Sequence, residues 1–475
     1  MYALLIGKDS LRMNPRQHKL AVWEFTLACN LKCRHCGSSA GTKRASELTT
    51  QQALDVVGKL HDLGVKEVNL IGGEATLRPD WNIIAKAITD TGMLLGFQTG
   101  GLHINKEIIN RMQDLGTNSL GVSIDGFKGV HDNQRGVQGS FEKAINALEL
   151  ASESEIPTIA CTTQLNKQSY KSILLLLDRV ATTRVKSWQI APTLPMGIGS
   201  SAHDLHLQPA DFVVLHELAA IFAIETARRG IFGIAANPLG YFGPYERLIR
   251  SGAENINRLY SGCPAGNGAI GIEADGTIKG CPSLPTNPYA LGKSYDDGFD
   301  QLTTIWDKEK SPYHWKVYGF CAKCPFQQIC WSGCGWSSTT TLGEKGNNPY
   351  CMFRSIVYES KNMHERLTQS KTGDLGPFEY GAFTLTEKLG KSTDKIAMSE
   401  VHIPTSMEET CLAFKEKRNY VLHSCAEVFE SYSKSETKNP ANSLAAFAVM
   451  EKLSLPLPIL GKFGFPKTAV DQTKT

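Results

Sequence analysis

The chain has 475 residues, a formal net charge of +3 and 41% hydrophobic residues, which suggests roughly two to four domains with a real core and gives no ground for nucleic-acid or membrane binding. No window approaches about 18 uninterrupted apolar residues, and the opening Met1-Tyr-Ala-Leu-Leu-Ile-Gly-Lys8 has no basic stretch before its apolar run and no small-residue cleavage pattern, so neither a membrane span nor a signal peptide is expected. Thirteen cysteines in such a chain read as intracellular thiols used for metal, not disulfides, and a cytoplasmic location is expected.

Residues 1–20 form a short polar lead-in. From Ala21 a strand–helix alternation begins, with apolar, β-branched runs at 21–27, 65–71, 93–99, 119–124, 157–165 and 187–192. Amphipathic helical patterns lie between them. The first starts with Thr49 or Thr50 as N-cap and keeps helical spacing through Leu54, Val57, Leu60 and Leu63. Others run near 80–91, 105–114, 140–153 and 168–181. Six βα units in a row predict an α/β fold with a parallel sheet and right-handed crossovers. The count suits a six-stranded partial, TIM-like barrel better than a full eight, with catalytic groups at the C-terminal strand ends.

Those strand ends carry the chemistry-bearing residues. After strand one comes Cys29-Asn-Leu-Lys-Cys33-Arg-His-Cys36. Three thiolates can hold three irons of a [4Fe–4S] cube and leave the fourth open for a small molecule. The competing reading is a zinc site with His35 as a fourth ligand. Strand two runs into Gly72-Gly73-Glu74, where glycines permit close backbone approach and the carboxylate can accept bonds from an ammonium. Strand three ends in Gln98-Thr99-Gly100-Gly101. Strand four gives Ser123 and Asp125, followed by Arg135, whose fork suits a carboxylate. Asp125 reads as a turn residue or a support for its neighbours. Thr163, Asn166 and Gln189, on strands five and six, point to the same mouth if the register holds.

A helical stretch at 208–229 closes the barrel segment. Residues 230–262 are rich in Gly, Pro and Tyr, and Asn237–Tyr245 is either the wall of a substrate groove or a linker. Then come seven cysteines at 263, 281, 321, 324, 330, 334 and 351. Between the first two, alternating apolar residues flank Asp275-Gly276, the pattern of a β-hairpin that brings Cys263 and Cys281 side by side. Cys161, Cys411 and Cys425 stand apart and have no assigned role. After about residue 365 the chain turns polar. Residues 407–432 show helical periodicity, and prolines break the tail that begins at Leu453.

The C-x3-C-x2-C spacing resembles the radical S-adenosylmethionine (radical SAM) superfamily, and the seven-cysteine block resembles the SPASM domain of its peptide- and protein-modifying members. The resemblance covers roughly residues 20–360. It implies three [4Fe–4S] clusters. Cys29, Cys33 and Cys36 would hold the SAM-binding one. Cys321, Cys324, Cys330 and Cys351 would hold an outer auxiliary cluster, and Cys263, Cys281 and Cys334 an inner one lacking a fourth cysteine. It further implies SAM contacts from Gly72, Gly73 and Glu74 (amino group), Thr99, Ser123 (ribose) and Arg135 (carboxylate). Three positions depart from the family pattern: His35 replaces an aromatic residue, Ala75 a proline, and Gly100 an asparagine.

The implied organisation is a lead-in (1–20), a radical SAM partial barrel (21–229), a bridging region (230–262), a SPASM domain (263–360) and a C-terminal extension, partly helical or disordered (361–475). The implied function is oxidative modification of a ribosomally made peptide by a side-chain cross-link: carbon–carbon, ether or thioether. Maturation of a protein-derived cofactor such as formylglycine or a quinone, and peptide epimerisation, are the enzymatic alternatives. An iron–sulfur electron carrier and a zinc-binding scaffold are the others. Expected partners are a precursor peptide and an external electron donor such as flavodoxin or ferredoxin; no fused winged-helix recognition domain is read before the barrel, so leader recognition is expected to rest on the SPASM region, the C-terminal extension or a separate leader-recognition protein. No catalytic base is assigned.

Overall fold

Each expected strand forms within two residues of its expected bounds: β1 Leu20–Thr26, β2 Glu67–Gly72, β3 Leu94–Thr99, β4 Ser119–Ser123, β5 Thr158–Leu165 and β6 Val185–Pro192. The computed structural model describes residues 19–251, 260, 263, 265, 266, 268–307, 315–416 and 418. Helices α1 (Thr50–Asp62), α2 (Trp81–Asp90), α3 (Lys106–Asp114), α4 (Lys128–Arg135), α5 (Ser140–Glu153) and α6 (Ile173–Ala181) occupy the crossovers. Thr49 caps α1 through a reciprocal box with Gln52, so two otherwise orphaned N–H groups are satisfied. Asn105 accepts the Ile108 N–H at the start of α3.

Period-two alternation assigns the two faces of the barrel strands. Trp23, Phe25, Leu70, Phe97, Val122, Cys161 and Trp188 face the helices and are buried in one core, each large side chain worth about 1.5–3 kcal/mol. The alternate positions, Glu24, Asn69, Gln98, Ser123, Thr162 and Gln189, are mostly polar. The register pairs Ser123 with Thr162 and Thr162 with Gln189, so these share the inner face. The barrel therefore turns an apolar surface outward to its helices and a polar one inward.

The sheet is longer than six strands and crosses the boundaries expected from sequence. Its ten strands run β10-β9-β8-β1-β2-β3-β4-β5-β6-β7. Helix α7 (Asp211–Arg228) leads into β7 (Phe232–Ala235), from the bridging region, which pairs parallel with β6. At the other edge β8 (Ala269–Ile272) pairs parallel with β1, and β9 (Thr277–Lys279) and β10 (Ala290–Lys293) follow antiparallel. The cysteine block is thus joined to the barrel by main-chain hydrogen bonds.

The described part of the C-terminal extension is also built into the body. β11 (Met363–Lys371) and β12 (Ala382–Leu389) form a hairpin. Ile396, Val401, Met407, Cys411 and Phe414 join the barrel core. The Thr410 hydroxyl donates to Glu225 of α7, and Arg418 pairs with Glu217. Hence α7 is buried on nearly all sides. The expected lead-in, most of the periodic stretch at 407–432, Cys425 and the proline-rich tail lie outside the described residues. No helix among the described residues is long and apolar enough to cross a membrane.

Candidate active site and cysteine centres

The segment after β1 is fixed before it reaches the first cysteine. Glu47 accepts from the Thr26 hydroxyl at 3.0 Å and from the Leu27 N–H at 2.9 Å, and Cys29 N–H donates to Gly41 O. Each thiol of the cluster motif has a donor beside it: Leu31 N–H at 3.4 Å from Cys29 Sγ, Arg135 Nη1 at 3.9 Å from Cys33 Sγ, and Ala40 N–H at 3.3 Å from Cys36 Sγ. Such donors stabilise thiolates and tune a bound cluster. Burial holds the metal-free thiols protonated, Cys29 pushed up to about 11 and Cys33 to about 12.

Gly72 and Gly73 run against this segment. A Cβ at Gly72 would lie 2.3 Å from Thr26 O, and one at Gly73 2.3 Å from Ala28 O. Both glycines are demanded by the chain's own close packing, whatever else they contact. Gly73 N–H and Glu74 N–H donate to Thr26 O and Ala28 O. The Glu74 carboxylate is buried and accepts from the Thr99 hydroxyl (2.6 Å), Gly100 N–H (3.1 Å) and the Thr76 hydroxyl (3.0 Å). Burial raises its pKa against these bonds. Thr99 is thereby an orienting partner of Glu74.

On the opposite flank Asp125 is fully buried and accepts from Arg135 Nε at 2.6 Å and Gln164 N–H at 2.9 Å. Burial disfavours its charge, but Arg135, His35 and His131 outweigh this and bring its pKa to about 2. His35 Nε2 faces the same carboxylate at 3.5 Å. Burial lowers the pKa of His35 to about 4, so the ring is neutral at pH 7. His35 is aimed at Asp125, which removes the basis for reading it as a fourth metal ligand. His131 accepts the Asp125 N–H at Nδ1, 3.1 Å away, a contact that sequence reasoning missed because nothing in spacing marks it.

Ser123 sits in a hydroxyl–amide triad: Gln98 Nε2 and Thr162 Oγ1 donate to its Oγ at 2.9 and 3.0 Å. The inner-face residue of β5 is thus Thr162. Thr163 points to the helix layer instead, donating to Ile124 O and accepting from Trp188 Nε1 at 2.9 Å. Trp188 packs edge-on against Phe222 of α7, which fixes that face. Asn166 is also committed internally: its amide donates to Gln134 and Thr193, and its oxygen accepts from Gln168 and Ser169 N–H. Gln189 shares the face of Thr162.

A second buried polar group lies where β1 meets β8. Arg44 bridges Glu24 (3.2 Å) and Glu273 (3.0 Å), and Lys279 pairs with Glu273 at 2.8 Å. Burial pushes Glu24 up to about 8 against the pull of Arg44. The turn between β11 and β12 closes over this region. Phe378 N–H donates to Gly37 O, Ser39 Oγ donates to Gly376 O, and the Phe378 ring lies 3.7 Å from Lys279 Nζ. A wall of the site thus comes from a segment expected to be an appendage.

The seven cysteines of the later block form two groups. Cys321, Cys324, Cys330 and Cys351 line one small void, together with Tyr241, Phe242, Phe326 and Phe353. Burial keeps these thiols protonated, Cys351 pushed up to about 12. Asn237–Tyr245 is therefore neither linker nor groove: Tyr241 and Phe242 are core residues of the cysteine block, Phe242 stacked on Phe326 at 4.5 Å. Cys263, Cys281 and Cys334 form the other group. Burial, then Cys334 and Cys281, push the Cys263 thiol up, and burial, then Cys281, raise Cys334 to about 11. The hairpin expected around Asp275-Gly276 aligns them: Gly266 N–H donates to Gly280 O at 2.7 Å, and a Cβ at Gly280 would stand 3.0 Å from Gly266 Cα.

Among the described residues no three His, Cys, Asp or Glu groups converge to hold a single metal ion. Gathered, buried and donor-flanked thiols fit polynuclear iron–sulfur clusters in their chemistry. A cavity of about 1070 Å³ between α7, Met352–Ser360 and residues 390–418 shares no residue with these groups and is not part of the site.

Residues 23–180 match the radical SAM superfamily model. The chain is 26% identical over 354 residues to the AdoMet-dependent heme synthase of Methanosarcina barkeri, covering 71% of this chain and 97% of that protein. It is 30% identical over 342 residues to the mycofactocin maturase MftC of Mycobacterium ulcerans, covering 70% and 86%. Among solved structures, Streptococcus suis SuiB bound to the precursor peptide SuiA shares the fold with a TM-score of 0.54 at 16% identity, over 70% of this chain and 74% of that one. Native anSMEcpe with bound AdoMet also aligns at 0.54, with 18% identity, over 71% and 94%. By fold, site geometry and these likenesses together, the chain belongs to the radical SAM superfamily and is an enzyme of it.

Proposed function

We propose that this enzyme oxidatively modifies a ribosomally synthesised peptide, and that its product is a side-chain cross-link, carbon–carbon, ether or thioether. It is a peptide- or protein-modifying oxidoreductase. The observation that carries this reading is the presence of three separate, largely shielded cysteine groups in one folded body, the first flanked by Glu74 and Arg135. Similarity to a mycofactocin maturase supports a peptide substrate.

Cys29, Cys33 and Cys36 would hold a [4Fe–4S] cluster, which would supply the electron for reductive cleavage of SAM. The chain's own residues bind and orient. Gly72, Gly73 and Glu74 take the SAM ammonium, with Thr99 setting the Glu74 carboxylate. Arg135, braced by Asp125, takes the SAM carboxylate. Ser123, set by Gln98 and Thr162, takes the ribose. Cys321, Cys324, Cys330 and Cys351 would hold an outer auxiliary cluster. Cys263, Cys281 and Cys334 would hold an inner one. The polar inner face of the barrel and the 372–381 turn enclose the reacting groups and exclude water. Electrons enter from an external donor of the flavodoxin or ferredoxin type.

The test is anaerobic purification, iron counting and product analysis. About 12 irons per chain, 5′-deoxyadenosine formation, and loss of two hydrogens from a co-expressed precursor peptide with linked fragments are expected. Replacing Cys29, Cys33 and Cys36 with alanine abolishes deoxyadenosine; retained formation refutes the ligand assignment. Likeness over nearly the whole of a heme synthase favours a second reading, oxidation of a tetrapyrrole side chain. A porphyrin consumed while the peptide stays unchanged would select it.

A further inference from the structure

Lys345 stands beside the inner cysteine group, and no part of the function above uses it. Its stem runs along Gly335, the residue after Cys334: a Cβ there would lie 3.0 Å from Lys345 Cε and 3.2 Å from its Cδ. Its Nζ lies over two aromatic faces, 4.5 Å from the Tyr289 ring centre and 4.8 Å from that of Trp315. Tyr289 is tied to the helix Gly335–Leu342 by a 3.0 Å bond between its hydroxyl and that of Thr339, so the cage and the cysteine-bearing segment are one unit. Among the described residues Lys345 makes no carboxylate ion pair. Burial is the larger effect and lowers its pKa, while Cys281, Cys263 and Cys334 each favour the charged form. Two ring faces favour an ammonium over a neutral amine, so Lys345 is built as a charge and not as a metal ligand.

We propose that the Lys345 ammonium is the fixed positive charge of the inner auxiliary cluster and raises its reduction potential. The inference rests on the cluster assignment proposed above. Reduction adds one negative charge to a group already bearing thiolates, and net charge and surroundings set iron–sulfur potentials. A half-buried cation held on rings, next to the segment that carries Cys334, stabilises the reduced form. Lysine supplies this with a flexible stem that Gly335 leaves room for, and no fourth thiolate adds its own negative charge.

The experiment uses reconstituted holoenzyme, full chain, in redox titrations followed by electron paramagnetic resonance. The inner centre is identified as the signal lost in Cys281→Ala. Lys345→Met is expected to move that centre to a more negative potential by about tenfold in its one-electron equilibrium, ~59 mV, with the other two centres unmoved. Lys345→Arg is expected to keep most of the wild-type value. Lys345→Gln replaces the methionine variant, with the same expectation, should that variant lose the centre. Equal potentials in wild type and the neutral variants overturn the proposal, as do equal shifts in the neutral and arginine variants. If wild type holds only about four irons and Cys281→Ala removes no signal, the cluster assignment itself fails, and the proposal falls with it.

Discussion

Asp125→Asn isolates the charge that braces Arg135 beside Cys33. Asp125 is wholly buried, receives Arg135 Nε at 2.6 Å and Gln164 N–H at 2.9 Å, and faces a neutral His35. Its pKa falls from 3.8 to about 2 against the cost of burial. A lowering of about two units at 1.36 kcal/mol each corresponds to roughly 2.5 kcal/mol of stability at neutral pH. Leaving Arg135 buried without its partner sets the upper end at about 3–5 kcal/mol. The sign follows from the depressed folded pKa: the contribution is complete above the unfolded value near 4 and is lost as pH falls through about 2. Denaturant unfolding of the metal-free, reduced chain should therefore give a lower midpoint for the variant at pH 7, with unchanged slope, and a narrower gap at pH 3. A double-mutant cycle with Arg135→Gln should show coupling of about 2 kcal/mol. Equal midpoints at pH 7, or additive single effects, would refute the pairing.

Four further outcomes are expected. Gly100→Asn drives a Cβ to 2.3 Å from Leu31 Cδ1, an overpacking of about 1–3 kcal/mol, visible as a lower thermal midpoint and relieved by adding Leu31→Ala. Phe378→Ala removes a buried ring from Lys279 and should cost about 3–5 kcal/mol in denaturant unfolding. Tyr241→Phe leaves Cys334 N–H, now 2.7 Å from the tyrosine oxygen, without that acceptor; a loss of about 1–3 kcal/mol and faster amide exchange at Cys334 are expected. Ending the chain at Gly390 strips Ile396, Val401, Met407, Cys411 and Phe414 from the core and should give insoluble protein, measured as the soluble fraction after expression.

The barrel strands were legible because their alternation is strict. In Val22-Trp-Glu-Phe-Thr26 every second residue is large and apolar, and the structure turns those residues to the helices. The cysteine groups were legible because few other chemistries need thiols at those spacings. What was hidden depended on contacts distant in sequence. Nothing local marks Thr162 rather than Thr163 as the inward residue, since both are β-branched hydroxyls; one residue of register decides it, and Trp188 settles it from another strand. The polar composition of 366–400 concealed a hairpin, because β11 and β12 are two-stranded and exposed on one face, so their sequences need little apolar alternation. β8 gave no sign that its partner would be β1, which lies 249 residues earlier at the Leu20–Ala269 pair.

The family departures at two positions are best understood together. At residue 100 the usual asparagine would occupy the space that Leu31 fills, and Leu31 belongs to the cysteine loop itself. At residue 35 the histidine turns a ring nitrogen to Asp125 at 3.5 Å, a contact a phenylalanine ring would not make. Both substitutions therefore act on the loop between Cys29 and Cys36. Leu31 anchors its first turn against the end of β3, and His35 faces its last turn toward the end of β4. Lys32 N–H and Arg34 N–H meanwhile donate to Arg135 O and Gln134 O at the end of α4. A loop whose thiols must converge on one cluster gains from such fixation, because every residue ordered in advance is conformational entropy not spent on cluster binding. Asparagine at 100 is consequently expected to be tolerated poorly here and better with Leu31 reduced, a coupling that independent drift at residues 31 and 100 would not produce.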